Sequence, residues 1–319
     1  MISANNMLKI GIVGVGHFGK NHLKCLKQSD KFELVGFYDI DADVCEQVQD
    51  EYQVSSFKNF VDLISRIDVL DIVTPASTHY EYAHTAISLN KHVFVEKPLA
   101  ISYAEALALS KMLTTHPVKL QVGHIERFNP AYTAAKPYLQ APSNIVVERN
   151  GTYNLRNKDV SVIEDLMLHD IDIILKSVDS PIKSIRASGE TIKSSSFDVV
   201  EAFIDFENGS QAHLKANRIA DTPYRSSKFF QKESMITVDY MNRKTEVQLL
   251  NGAAKKLNGH AVNGNGHHHH NGVILPEIKD VNAIKEELTT FYNSIVNNTT
   301  PPVTISDSLR VLEICEEIR

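Results

Sequence analysis

A buried-type strand that runs straight into a glycine turn and then a helix admits few folds, and the chain carries one near its start. Leu8-Lys9-Ile10-Gly11-Ile12-Val13 leads directly into Gly14-Val15-Gly16-His17-Phe18-Gly19 and a helix through about Lys27. The glycines allow a tight turn, close approach of backbone to a pyrophosphate and close packing of helix on strand, while the helix N-terminus favours negative charge. A second strand, Phe32 to Tyr38, ends at Asp39. That acid stands about 20 residues past the last glycine, where a carboxylate accepts hydrogen bonds from the ribose hydroxyls of a dinucleotide. The pattern therefore predicts a dinucleotide site on Gly14, Gly16, His17, Phe18, Gly19 and Asp39. Asp39 would repel a 2′-phosphate, and neither Ile40 nor Asp41 supplies a compensating cation, so NAD is expected rather than NADP.

The alternation continues. A helix from Asp41 to about Tyr52, a short strand near Ser55 to Phe57 and a helix near Asn59 to Ser65 precede the strand Val69 to Val73. A helix to Leu89, the strand Val93 to Glu96, a helix from Ser102 to about Thr115 and the strand Lys119 to Gly123 follow. Such alternation predicts an α/β fold, a doubly wound parallel sheet of Rossmann type over residues 1–123. Open sheets of this kind bind ligands beyond the carboxyl ends of their strands. Thr74, Pro75 and His79 then lie near the path of the cofactor, with turn chemistry as the other reading. In Val93-Phe94-Val95-Glu96-Lys97-Pro98 an apolar run delivers a carboxylate and an amine to a strand end, and the proline stops the ladder. Lys97 is the expected centre of the active site, an exposed strand-end ion pair being the alternative.

After Gly123 the character changes. His124-Ile125-Glu126-Arg127-Phe128-Asn129-Pro130 is a polar and aromatic link, and Pro130 suits the first turn of a helix to about Gln140. Ile145 to Arg149, Ile182 to Ala187, Val199 to Phe206, Gln211 to Ala216, Ser234 to Val238 and Thr245 to Leu250 read as strands. Runs of strands predict a second, α+β domain over residues 124–319 with a large, mostly antiparallel open sheet. One helix, Val162 to about Val178, interrupts them. Asp165, His169, Asp172 and Lys176 share one stripe of it, about 60° wide, with Ile163, Met167 and Ile174 opposite. A solvated helix face is the plain alternative. The Gly/Asn/His-rich stretch from Asn251 to Gly272 holds His267 to His270; with no scaffold to converge them on one ion, it reads as an exposed hairpin insertion, and no metal is expected. Val281 to Asn297 and Ser306 to Arg319 read as helices, the last expected to pack back on the first domain. The chain stops within a helical pattern, which suggests that its natural C-terminus lies further on.

Hydrophobic residues at 43% and charged ones at 23% exclude disorder. No apolar stretch approaches the ~20 residues of a spanning helix, and no secretory h-region opens the chain, so a cytoplasmic protein without a membrane partner is expected. Cys25, Cys45 and Cys315 are too widely spaced for a disulfide framework or a Cys-based metal site. A net charge of −6 excludes a general nucleic-acid binder.

With Gly14 to Gly19, Thr74-Pro75, Glu96-Lys97-Pro98 and the Asp165, His169 pair in view, the chain resembles the Gfo/Idh/MocA family of nicotinamide-dependent sugar and polyol dehydrogenases over nearly its whole length. The resemblance implies that Lys97, Asp165 and His169 meet over the nicotinamide, and that the open sheet mediates assembly into a homo-oligomer, a dimer or tetramer. His169 is the expected base, Asp165 its orienting partner, and Lys97 the group that stabilises charge on the reacting oxygen. Many relatives carry a glycine-rich segment before the histidine. This chain instead reads Ile163-Glu164-Asp165-Leu166-Met167-Leu168-His169-Asp170 there, which, with Gly123 to Pro130, looks most like a nucleotide-sugar branch. The implied reaction is oxidation of the 3-hydroxyl of a UDP-linked N-acetylhexosamine. Arg127, with Arg149 and Arg156, would contact the diphosphate, arginines that merely pair with nearby acids being the alternative, and Asn129 and Asp172 complete the expected substrate contacts. The alternatives are an inositol or other free-polyol dehydrogenase, and a non-catalytic sensor of the same fold, which would be expected to lose one of the reactive residues.

Overall fold

The computed structural model describes residues 7–154, 160–250 and 272–319. Arg156 and His267 to His270 lie outside the described residues. The chain divides into two units, Met1–Ile125 with Asn282–Leu312, and Glu126–Val281 with Glu313–Arg319.

In the first unit, β1 (Leu8–Val13), β2 (Phe32–Tyr38), β3 (Val69–Ile72), β4 (His92–Glu96) and β5 (Leu120–Gly123) form one parallel sheet in the order β2-β1-β3-β4-β5. β3 and β5 are buried throughout and β1 almost so, as a parallel sheet covered on both faces requires. The stretch near Ser55 to Phe57 contributes only a single bridge, Phe37 to Ser56, because no second pair follows to extend it. α1 (His17–Lys27), α2 (Ala42–Tyr52), α3 (Phe60–Ile64), α4 (His79–Ser88) and α5 (Tyr103–Met112) connect the strands. The direction of strand succession reverses between β1 and β3, which makes their carboxyl ends the switch point where ligands bind.

The sheet's core is completed from far along the chain. α8 (Ala283–Val296) starts where Asn282 accepts hydrogen bonds from the Ile284 and Lys285 N–H groups. Ile284, Leu288, Phe291 and Ile295 recur at helical spacing and join the core of Leu23, Leu26, Phe32 and Phe94. Phe291 and Phe94 rings lie 5.9 Å apart. Burying Leu288 and Phe291 contributes roughly 1.5–3 kcal/mol each.

The second unit holds β6 (Asn144–Asn150), β7 (Ile182–Glu190), β8 (Val199–Phe206), β9 (Gln211–Asn217), β10 (Tyr224–Phe230), β11 (Ser234–Asp239), β12 (Lys244–Leu249) and β13 (Val273–Ile274). They form one sheet in the order β13-β12-β11-β10-β6-β9-β8-β7, antiparallel except for the β6–β9 pair. Period-two alternation sends Val200, Ala202, Ile204 and Phe206 of β8 to the covered face and Glu201, Phe203 and Asp205 to the other. β10 carries no such signal, since Arg225-Ser226-Ser227-Lys228 is polar. It is nonetheless a central strand, laddered to β6 and β11, with the buried Ser227 hydroxyl 3.0 Å from the Tyr240 hydroxyl.

α6 (Pro130–Ala135) packs on β11 and β12, ending at the bend into a 3-10 turn, Lys136–Tyr138, where Pro137 cannot continue the helix. The expected helix from Val162 to Val178 is two pieces: a π turn, Ile163–Met167, and α7 (Leu168–Ser177). The π turn inserts extra backbone between Asp165 and His169, a feature frequent at functional sites.

Candidate active site

The glycine loop has the form its sequence implies. Gly14 has φ +85°, and a Cβ there would stand 2.7 Å from the Val73 carbonyl oxygen. A Cβ on Gly19 would lie 2.1 Å from the Gly14 carbonyl oxygen, so helix and loop close only on glycine. Around Gly16 a Cβ would meet nothing within 4 Å, which leaves open the side from which a pyrophosphate approaches. Gly16 caps α1 without a side-chain hydrogen bond, so the first helical N–H groups remain for an anion. The residues therefore fit a dinucleotide. Asp39 ties this loop to the end of β2: one oxygen accepts from the Val15 N–H at 2.8 Å and the other from the Asp41 N–H at 3.1 Å. His17 and Phe18 are exposed at the head of α1.

At the end of β3, Thr74, Pro75 and His79 are joined by turn bonds. The Thr78 hydroxyl donates to the Pro75 carbonyl at 2.9 Å and lies 2.8 Å from the Thr74 hydroxyl. Buried His79 reaches the Thr74 carbonyl with Nε2 at 2.8 Å and the Pro98 carbonyl with Nδ1 at 2.7 Å. It thereby clamps the β3 and β4 ends together. Burial, the larger influence, pushes its pKa down against the two carbonyls that favour the charged form.

Glu96 and Lys97 leave β4 as expected. One Glu96 oxygen accepts from the Lys97 N–H at 3.2 Å, and the other lies 3.2 Å from His22 Nε2. A Cβ on Gly123 would come within 2.6 Å of that carboxylate, so β5 must carry glycine beside it. His22 also donates through Nδ1 to Asp71 at 3.0 Å. Burial opposes charge on this imidazole, but Asp71 and Glu96 outweigh it and hold His22 well above its ordinary range. His22, Asp71 and Gln121 escape a reading from motifs. Their signal in the sequence is the polar residue inside an apolar pattern, as in Val69-Leu70-Asp71-Ile72-Val73 and Leu120-Gln121-Val122.

In the second unit the predicted substrate residues are engaged with one another. Arg127 grips Asp172 with two bonds, Nε at 2.7 Å and Nη2 at 2.5 Å, both side chains buried. Asp172 is therefore not on a solvated face. Arg149, 1% exposed, donates to Asp170 at 2.7, 2.9 and 3.0 Å and to Glu126 at 2.9 Å, the arrangement of a structural ion triad. Asn129 caps α6, accepting from the Ala131 N–H at 3.0 Å and donating to Glu126 at 2.9 Å. Asp165 and His169 are half-buried on the π turn and α7, while Lys176 is exposed. Lys97 belongs to the first unit, Asp165 and His169 to the second.

A family model described as "Oxidoreductase family, NAD-binding Rossmann fold" (GFO_IDH_MocA) matches residues 8–124. The chain is 31% identical to UDP-N-acetylglucosamine 3-dehydrogenase of Acidithiobacillus ferrooxidans, over 74% of this chain and 75% of that protein. The solved structure of that organism's UDP-N-acetylglucosamine 3-dehydrogenase GnnA superposes with a TM-score of 0.86 at 26% identity, covering 98% of this chain and 97% of the other. Inositol 2-dehydrogenase of Salmonella typhimurium is 28% identical over 52% of this chain and 53% of its own. With a nucleotide loop fitted to NAD, a Glu-Lys-Pro strand end and these similarities, the chain belongs to the Gfo/Idh/MocA family of NAD-binding oxidoreductases, and is a dehydrogenase.

Proposed function

We propose that the enzyme oxidises the 3-hydroxyl of a UDP-linked N-acetylhexosamine to a 3-keto sugar. The observation that carries this reading is the similarity to UDP-N-acetylglucosamine 3-dehydrogenase along three quarters of both chains. The cofactor, when bound, supplies the hydride acceptor. His169 takes the hydroxyl proton, Asp165 orients the imidazole and stabilises its charged form, and Lys97 stabilises negative charge as it develops on the oxygen. The sugar loses the hydroxyl proton to His169 and the hydrogen of the same carbon as hydride, two hydrogens in all, the hydride being what a bound NAD would accept. Supporting the assignment, Lys97 follows a strand's carboxyl end in the parallel sheet, and Asp165 lies on a π turn with His169 just past it, both half-buried rather than on a plain solvated face.

Gly14, Gly16, Gly19 and Asp39 hold NAD in this reading, with His17, Phe18, Thr74, Pro75, His79 and Glu96 around it. Arg127 and Asp172 act on substrate as a fixed pair, with Asn129 near Arg127 along the chain and with Arg156 as a further contact. A free polyol such as an inositol is the second reading, favoured by the burial of Arg127 and Arg149 in ion pairs, since an unactivated sugar needs no diphosphate donors.

The enzyme works in the cytoplasm; among the described residues no helix is long and apolar enough to cross a membrane. It self-associates through the uncovered sheet face, where Phe203 is 39% exposed, stacked on His213 and overlain by Arg186.

Mixing the enzyme with NAD and UDP-N-acetylglucosamine, then following NADH absorbance and product mass, tests the substrate. Loss of two hydrogens from the nucleotide sugar is expected. Turnover of free inositol without turnover of UDP sugars would refute the substrate and leave the family intact.

A further inference from the structure

Behind the end of β4 lies a buried cluster of which the proposed function uses Glu96 alone. His22 of α1, Asp71 of β3 and Glu287 of α8 are fully buried, and Glu96 is 7% exposed. The nearest ligating atoms of His22, Glu96 and Glu287 all lie within 4.8 Å of one another. Neither carboxyl oxygen of Glu287 has a hydrogen-bond partner, and the Gln121 and Glu96 Oε1 atoms likewise lack a donor in good geometry. Gln121 spends its amide N–H on the Glu287 carbonyl at 3.0 Å, which aligns β5 with this turn of α8.

Three carboxyls thus share one imidazole. The Cys25 thiol, one turn along α1, feels His22, Asp71 and Glu287 of this cluster and also Lys285, earlier on α8. A third buried carboxylate beside Asp71 and Glu96 would stand unpaired in a low-dielectric interior, whereas a carboxylic acid supplies the missing donor to orphaned acceptors.

We propose that Glu287 is protonated in the folded enzyme and acts as a positioning residue, its hydroxyl turned toward the Glu96 carboxylate within 4.8 Å of it and fixing the group that holds the Lys97 N–H. The consequence for Lys97 rests on the catalytic reading above; the protonation does not. Burial and the neighbouring Glu96 both push the Glu287 carboxyl well above the usual carboxylate range. A carboxyl raised in this way contributes its full stability below the ordinary glutamate range and loses it as pH rises through the folded value. An amide in its place donates at every pH.

The test compares the intact wild-type enzyme with Glu287→Gln and Glu287→Leu. The Tm of Glu287→Gln relative to wild type should rise with pH, by roughly 5 °C or more between pH 5.5 and pH 8.5, the direction that linkage requires. With NAD and UDP-N-acetylglucosamine, Glu287→Gln should keep kcat within about twofold of wild type, while Glu287→Leu, which cannot donate, should fall about tenfold or more. A Glu287→Gln variant whose Tm deficit widens with rising pH would overturn the protonation. So would stoichiometric zinc or manganese in purified wild-type enzyme that this variant lacks, which would make His22, Glu96 and Glu287 metal ligands. Equal kcat for the Gln and Leu variants would overturn the positioning role. If wild type does not turn over UDP-N-acetylglucosamine, the substrate reading fails while the thermal comparison still decides the state of Glu287.

Discussion

Replacing Arg149 with Met removes the guanidinium that Asp170 and Glu126 share. Arg149, Asp170 and Glu126 side chains are 1%, 2% and 6% exposed, so water does not reach the carboxylates left behind. Arg225, half-exposed, keeps one contact with Glu126 at 3.5 Å and offsets part of the loss. Breaking a buried pair by removing one partner costs about 3–5 kcal/mol, and Arg225 puts the expected value near about 3–4 kcal/mol. At about 2–4 °C per kcal/mol for a body of 150–250 residues, the second unit should melt roughly 6–16 °C lower.

The pH dependence carries a sign. Burial alone would raise the Glu126 pKa, but Arg149 outweighs it and holds the carboxyl below its ordinary value. In wild type that stability is present above the ordinary glutamate range and lost as pH falls through the folded value. Without Arg149, both carboxyls sit buried with too little positive charge, their folded values rise, and stability is lost as pH rises instead. The deficit of Arg149→Met should therefore be larger near pH 8 than near pH 5. Differential scanning calorimetry at the two pH values reads both quantities. A Tm drop under about 2 °C near pH 8, or a deficit larger near pH 5, would refute the triad as an anchor. Since Asp170 adjoins His169 on α7, turnover should fall in the same variant.

Three further outcomes are expected. Asp39→Ser should narrow the preference for NAD over NADP in kcat/KM and, because Asp39 also holds the Val15 N–H, weaken NAD binding; a wild-type preference for NADP would refute the role of Asp39. Gly19→Ala should abolish measurable NAD binding by calorimetric titration, because its Cβ would overlap the Gly14 carbonyl, and unchanged affinity would contradict the loop geometry. Lys97→Met and His169→Ala should each lower kcat by roughly two to four orders of magnitude with NAD binding retained. Near-normal turnover in either variant would remove that residue from the chemistry.

Period and punctuation made much of this protein legible from its residues. Strand, glycine turn and helix recur so regularly from Leu8 to Gly123 that the parallel sheet, the Gly14 to Gly19 loop and the place of Glu96-Lys97 at a strand end all follow from local rules, which hold because backbone sterics and apolar burial act over a few residues. The open antiparallel sheet was readable wherever side chains alternate, as in β8. It was not readable in β10, whose Arg225-Ser226-Ser227-Lys228 becomes a strand only because β6 and β11 offer ladders on both sides. The π turn before His169 was equally hidden, since a helical stripe drawn at constant pitch cannot register an inserted residue.

What tertiary structure alone decided is which charges meet. Arg127 and Arg149 have the composition of anion-binding residues, yet one pairs with Asp172, 45 positions along, and the other with Asp170 and Glu126. Glu287 reaches the cluster behind β4 across 166 positions from Gln121. Electrostatic partners are chosen by distance in space, and a sequence orders its residues only along the chain. The nucleotide loop could be read because its glycines answer to their own neighbours; the buried ion network could not, because its energy exists only once the core has excluded water.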